Sequence, residues 1–223
     1  MIVAIVPAYE EGPRVGAVVE GARLRLPVVV VDDGSADDTA AVAEAAGATV
    51  LRQRPNQGKG AALRAGFRWA LEQGFDAVLT LDADGQHDPA DIPLLFEAQA
   101  RSGADLVVGR RDFSRMPPMR QLSNRLGGLA FSWAVGRSIP DNQSGYRLIS
   151  RRLMEVMLVS GESGFEFEVE MITTAIRAGW EIEWVPIRTI YAGEPSHIDP
   201  WHHLKSFIRM VRKARRTVRR PTN

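Results

Sequence analysis

The chain has 223 residues, enough for one large core and too few for two comfortable enzyme domains. Its 45% hydrophobic and 25% charged residues are those of a soluble globular protein, and the absence of cysteine excludes a disulfide framework and a thiolate metal site while fitting a reducing compartment. The formal charge of +1 hides an asymmetry: between Lys205 and Arg220 there are eight basic residues and no acid, so the tail stands near +8 and the body near −7. Such a split points the tail toward something anionic.

Residues 2–6, Ile-Val-Ala-Ile-Val, follow the initiating Met with no basic leader and no small-residue cleavage site, and read as a first strand. Pro13 opens a helix over 13–24, and residues 28–32 form a second apolar, β-branched run. Ser35, Asp37 and Asp38 offer cap oxygens to an Ala-rich helix over 37–46 that Gly47 stops. A third strand is expected at 48–52, a helix over 60–73 and a fourth strand over 76–81; a helix then runs from Pro89 to Gly103 and a strand follows at 106–108. Beyond residue 112 the alternation fades, with a helix expected at 121–136 and extended chain at 141–149 and 182–190. The longest uncharged apolar run, Leu126 to Val135, is about half a bilayer span and is broken by Gly127-Gly128, so the chain is not expected to cross a membrane by itself.

This alternation predicts an α/β fold, a mostly parallel central sheet flanked by helices. Right-handed crossovers bring the loops after the strands to one edge. Tyr9-Glu10-Glu11, Asp32-Asp33-Gly34-Ser35, Asp82-Ala83-Asp84-Gly85-Gln86 and Arg110-Arg111 all fall on that edge.

Asp82, Asp84 and Asp88, with the Gln86 carboxamide among them, crowd like charges at the end of a buried strand, where a cation or wide solvation must offset their repulsion. An all-oxygen set suits Mg2+ or Mn2+ with positions left open for phosphate oxygens; the alternative is a solvated turn ahead of the helix at Pro89. Asp33 serves a turn and helix cap, and can also accept from a ribose or base. Asn56-Gln57-Gly58-Lys59-Gly60 precedes a helix, so its N–H groups and Lys59 can face an anion, or simply start the helix. It is not a Walker A loop.

These segments, with Val6-Pro7-Ala8-Tyr9-Glu10-Glu11 and Asp141-Asn142-Gln143-Ser144-Gly145-Tyr146-Arg147, resemble in type and order the inverting family-2 glycosyltransferases of GT-A (Rossmann-like) fold, and among them the dolichol- or polyprenyl-phosphate mannosyltransferases. The resemblance covers about residues 2–190. It implies that Pro7, Tyr9, Glu11, Val31 and Asp33 line a nucleotide pocket, joined by Lys59, Asp82 and Ala83. It implies a metal held by Asp82, Asp84 and Gln86, with Asp84, Arg110 and Arg125 catalytic. Arg110, Arg125, Arg188 and Ser196 are implied as contacts to acceptor phosphate. The turn at Tyr191–His197 departs from the family pattern, with His197 where lysine is usual.

The implied reaction moves a sugar, mannose from GDP-mannose in the favoured form, to a polyprenyl or dolichyl phosphate. An anionic acceptor can attack without a general base; an alcohol acceptor instead needs a carboxylate, for which Glu166, Glu168 and Glu170 are candidates. UDP-glucose or another sugar nucleotide, or a saccharide acceptor, is the nearest rival. A nucleotidyltransferase and a non-catalytic nucleotide-binding membrane adaptor are more distant ones.

Residues 1–200 read as the catalytic domain and 201–223 as a basic amphipathic tail. Trp201, Leu204, Phe207, Ile208, Val211, Ala214 and Val218 make an apolar stripe opposite the basic residues. That pattern suits an anionic lipid interface, which is the favoured expectation, and equally a helix packed on the body. The expected setting is therefore cytoplasmic and peripheral at the cytoplasmic membrane face, with room for a separate membrane-anchoring partner. Nucleic acid is disfavoured, since no aromatic platform accompanies the charge.

Overall fold

The computed structural model describes residues 1–112, 118–164, 166–190, 211, 212, 214–216 and 218, with the side chains of 118–126 left out. Its sheet has seven strands in the order β3-β2-β1-β4-β6-β5-β7. These are β1 (Ile2–Ala8), β2 (Val28–Asp32), β3 (Thr49–Arg52), β4 (Ala77–Thr80), β5 (Leu106–Arg111), β6 (Arg147–Ser150) and β7 (Ile182–Ile187). All pairings are parallel except those of β6, which runs antiparallel to both β4 and β5. The helices are α1 (Gly12–Arg23), α2 (Thr39–Ala45), α3 (Lys59–Glu72), α4 (Ile92–Ser102), α5 (Pro118–Val135), α6 (Arg151–Met157) and α7 (Glu166–Ala178).

Each central strand is apolar on both faces because helices cover both. Val3 and Ile5 pack with α3, α5, α6 and α7, while Ala4, Val6 and Ala8 pack with α1, α2 and α4. The period-two alternation of side chains divides one strand between two cores. Gly66 lets α3 lie directly on β1, since a Cβ there would come 2.6 Å from Ile5 Cγ2. The chain leaves β1 for β2 on one side, while β4 lies on the other. The crevice beyond the ends of β1 and β4 is thus the switch point at which open α/β sheets bind ligands.

Three expectations change. Of the stretch 141–149 only Arg147 onward joins the sheet, and 141–146 is a loop that bends across the end of β4. Glu166, Glu168 and Glu170 lie on a helix, so Glu166 and Glu170, four residues apart, share one side, while Glu168 is turned to the other and buried. In the tail, Ala214 is buried in the core cluster, Val218 packs against that cluster, and Arg215 sits 4.2 Å above the Trp133 ring. Where described, the stripe therefore faces the body, contrary to the favoured lipid-facing expectation. Burying it there removes apolar surface from water with no lipid required. Trp201, Leu204, Phe207 and Ile208 lie outside the described residues.

Candidate active site

Strand β4 ends at Thr80, Leu81 is buried, and the chain then delivers Asp82 to the crevice. Thr80 Oγ1 donates to the Gly145 carbonyl at 2.7 Å, which draws the 141–145 loop over the carboxylate. Glycine at 145 lets the loop close on the carboxylate: a Cβ would stand 2.5 Å from Asp82 Oδ1 and 2.6 Å from Oδ2 and would force it to shift. On its other side Asp82 meets Lys59 Nζ at 2.6 Å, and the same ammonium reaches Glu168 Oε1 at 3.0 Å. Burial alone raises a carboxylate's pKa, but the Lys59 ammonium outweighs it and Asp82 is held at about 2. Burial disfavours the Lys59 charge in turn, and the two carboxylates overcome that and raise it.

Lys59 is therefore an internal counter-ion. N–H groups on either side of it are also taken, Gln57 and Gly58 donating to the Asp33 carboxylate at 2.9 and 2.7 Å and Gly60 to the Ser163 carbonyl at 2.7 Å. The reading of this loop as an open anion cradle gives way, because these three donors already have acceptors in the protein. Asp33 is buried and clamps that loop to the end of β2.

The other predicted residues divide by exposure. Pro7 is half-buried in the last part of β1, and Tyr9, just beyond that strand, is exposed. Val31 is fully buried in the core, and lies beneath the crevice instead of lining it. Ala83 is likewise buried, between the partly exposed Asp82 and Asp84. Glu11, at the start of α1, bonds Arg14 Nε at 2.7 Å, yet burial raises its pKa and Asp84 adds to the rise. The carboxylates of the β1 and β4 loops are thus near enough to repel. Asp84 Oδ1 accepts the Gln86 N–H at 2.9 Å, which curls the loop back.

His87 is buried, stacks on Tyr146 at 5.1 Å, and accepts the Asp82 N–H at Nδ1, 3.2 Å away. Burial lowers its pKa, so it is the neutral ring that accepts. Arg110 is exposed at the end of β5, whereas its neighbour Arg111 forks onto Asp141 at 2.8 and 3.0 Å. Arg188 reaches Asp91 at 2.9 Å and Asp88 at 3.3 Å, so two carboxylates already neutralise it. The side chain of Arg125, the turn at 191–197 and Ser196 lie outside the described residues.

Arg147 had no role in the sequence reading. It is fully buried and donates to three carbonyls, Ser144 at 2.8 Å, Glu168 at 2.5 Å and Asn142 at 3.3 Å. Asn142 Nδ2, buried beside it, has no hydrogen-bond partner among the described residues.

Among the described residues no three His, Asp or Glu side chains converge as a ready metal cage. The donor chemistry nonetheless fits a hard divalent ion that draws most ligands from a bound diphosphate: Asp84 has its carboxylate near Glu11 and carries the Gln86 carboxamide two residues on. Asp82 fits less directly, because Lys59 already shares its charge.

The family model for glycosyl transferase family 2 matches residues 3–158. An undecaprenyl-phosphate mannosyltransferase of Micrococcus luteus is 34% identical over 201 residues, 83% of this chain and 82% of that protein. A polyprenol monophosphomannose synthase of Mycolicibacterium smegmatis is 30% identical over 199 residues, 82% of this chain and 75% of that protein. Among solved structures, glucosyl-3-phosphoglycerate synthase from Mycobacterium tuberculosis, in complex with Mn2+, UDP and phosphoglyceric acid, superposes with a TM-score of 0.73 at 22% identity, covering 100% of this chain and 80% of that one. That likeness establishes the GT-A fold.

Proposed function

Because the chain belongs to glycosyl transferase family 2, we propose that this glycosyltransferase moves mannose from GDP-mannose to a polyprenyl phosphate, inverting the anomeric carbon. The observation that carries the acceptor class is the engagement of two of the three candidate bases. Glu168 is ion-paired to Lys59, and Glu170 accepts the Ser160 hydroxyl at 2.7 Å. A lipid monophosphate needs no such base, since it is already anionic near neutral pH; it needs to be held in line with the donor. Exposed Arg110 offers a guanidinium for this at the mouth of the crevice, with a planar fork matched to phosphate oxygens. The names of the two bacterial relatives support the same acceptor and sugar.

On the donor side, Asp84 with Gln86 would hold Mg2+ or Mn2+, and Asp82, fixed between Lys59 and Gly145, would accept from the nucleotide sugar. When bound, the ion supplies positive charge to the departing diphosphate.

Incubating the enzyme with undecaprenyl phosphate, Mn2+ and either labelled GDP-mannose or labelled UDP-glucose tests the reading. Label from GDP-mannose is expected in the organic phase as a β-linked, acid-labile lipid. Label from UDP-glucose alone would overturn the sugar, and label only in water-soluble saccharide would overturn the acceptor. The rival with UDP sugars draws support from a UDP-N-acetylglucosamine–dolichyl-phosphate transferase of Methanococcus voltae, 29% identical over 220 residues.

A lipid acceptor requires the crevice to meet a membrane. Among the described residues no helix is long and apolar enough to cross one. Leu129 and Trp133, one turn apart on α5, are each 67% exposed, and Arg215 over Trp133 is accompanied by exposed Arg212 and Arg216. An apolar pair beside cations fits the cytoplasmic, anionic leaflet. The enzyme is expected to sediment with phosphatidylglycerol vesicles and not with phosphatidylcholine, and Leu129→Ser with Trp133→Ser to reduce binding several-fold. Equal recovery with both lipids, or none with either, counts against this placement.

A further inference from the structure

Lys59 stands between a carboxylate in the crevice and one behind it. Its ammonium lies 2.6 Å from Asp82 and 3.0 Å from Glu168, whose side chain is 3% exposed. Neither Lys59 nor Glu168 can drift, because the start of α3 is seated hard against the segment leading into α7. A Cβ at Gly60 would meet Phe167 Cβ at 2.8 Å, and one at Gly58 would meet the Ser163 carbonyl oxygen at 2.5 Å. The surrounding cluster is balanced: Lys59, Arg147 and Arg111 stand against Asp82, Glu168 and Asp141.

The arrangement divides one positive charge between two acceptors. From it we infer that Glu168 is a positioning residue for donor binding: by taking part of the Lys59 ammonium, it leaves Asp82 with the charge and lone pairs to receive a donor group. This rests on the reading of Asp82 as a donor contact. Without the charge at 168, the Lys59 ammonium turns more fully to Asp82, and the two become a tighter ion pair. Glu168 thus acts through Lys59 and touches no substrate itself.

The consequence has a sign that a purely structural role would not share. Glu168→Gln is expected to weaken binding of nucleotide sugar with Mn2+ roughly tenfold, the loss of about one charge-assisted hydrogen bond, with kcat and the acceptor KM little changed. Adding Lys59→Met removes the ammonium that closed the pair, and leaves Arg147 and Arg111 against Asp82 and Asp141. The double variant is therefore expected to recover donor affinity to within about threefold of wild type, and Glu168→Asp to retain part of it.

Donor affinity is measured by calorimetry on the full chain, with thermal unfolding run beside it. Unchanged affinity in Glu168→Gln overturns the inference, and so does a double variant weaker than the single one. Should wild type itself bind neither GDP-mannose nor UDP-glucose with Mn2+, the donor reading of the crevice fails, whatever Glu168 does. Should wild type bind and only the variants disagree, the reading stands and the role of Glu168 goes.

Discussion

Asp84→Ala is expected to lower sugar transfer by at least about 10²-fold while leaving the fold intact, because a divalent ion at a leaving diphosphate contributes several kcal/mol and each ~1.4 kcal/mol is a factor of ten. The other carboxylates around the crevice have cations of their own: Asp82 has Lys59, Asp141 has Arg111, and Asp91 has Arg188. Asp84 is placed differently. Among the described residues its carboxylate accepts the Gln86 N–H, and its negative charge helps to raise the pKa of Glu11 across the crevice. A site that sets two carboxylates in mutual repulsion invites a cation from solution.

Removing one of that pair relieves repulsion, so thermal stability without ligand should hold or rise slightly. What should vanish is the additional stabilisation that Mn2+ and GDP give together to the wild-type protein, since a ligand raises stability only through the state that binds it. Transfer assays and thermal shifts with and without Mn2+ check both statements. Metal-dependent stabilisation surviving in Asp84→Ala would move the ion elsewhere. Loss of turnover with the wild-type fold retained would also weigh against a non-catalytic adaptor.

The parts of this site visible in sequence are those built from neighbours in the chain. Asp82, Asp84 and Gln86 fall within five residues at the end of a mostly apolar run, and strand polarity alone brings them to the crevice. The alternation from β1 to β5 was equally readable, because strands buried on both faces are continuous apolar runs. What stayed hidden was pairing across distance. Glu168 shares a helix with Glu166 and Glu170, and nothing local marks it as the one whose charge is buried against Lys59. Lys59 looked like an anion contact because it opens a helix, and its own carboxylates lie on segments remote in sequence. The tail illustrates the same limit from another side. An apolar stripe is identical whether a bilayer or the protein's own core covers it, and only burial of Ala214 decides where that segment packs.

Arg147→Met is expected to cost about 3–5 kcal/mol of stability, a large part of the ~5–15 kcal/mol that holds a domain together. The argument starts from position. Arg147 opens β6 opposite Thr80 of β4, so its side chain enters the sheet at the base of the crevice, where it is 1% exposed. Burial pulls the guanidinium pKa down, and Glu168, Asp141 and Asp82 act against that pull. Methionine fills much of the volume but removes three donors, leaving the carbonyls of Ser144, Asn142 and Glu168 without this partner. Three carboxylates, two of them buried, then face two cations in place of three. Lysine would keep the charge, yet a single ammonium cannot reproduce the fork that spans both the 142–144 loop and α7. Arg147→Lys is therefore expected to recover less than half of the loss.

Chemical denaturation at neutral pH checks this, through a lower midpoint at an unchanged slope. A loss under about 1 kcal/mol would mean that the carbonyls and carboxylates find other partners. Because the same guanidinium ties down the loop that presses Gly145 onto Asp82, a folded Arg147 variant should also bind donor less tightly. Stability of the core and grip on the nucleotide sugar are then two readings of one buried charge.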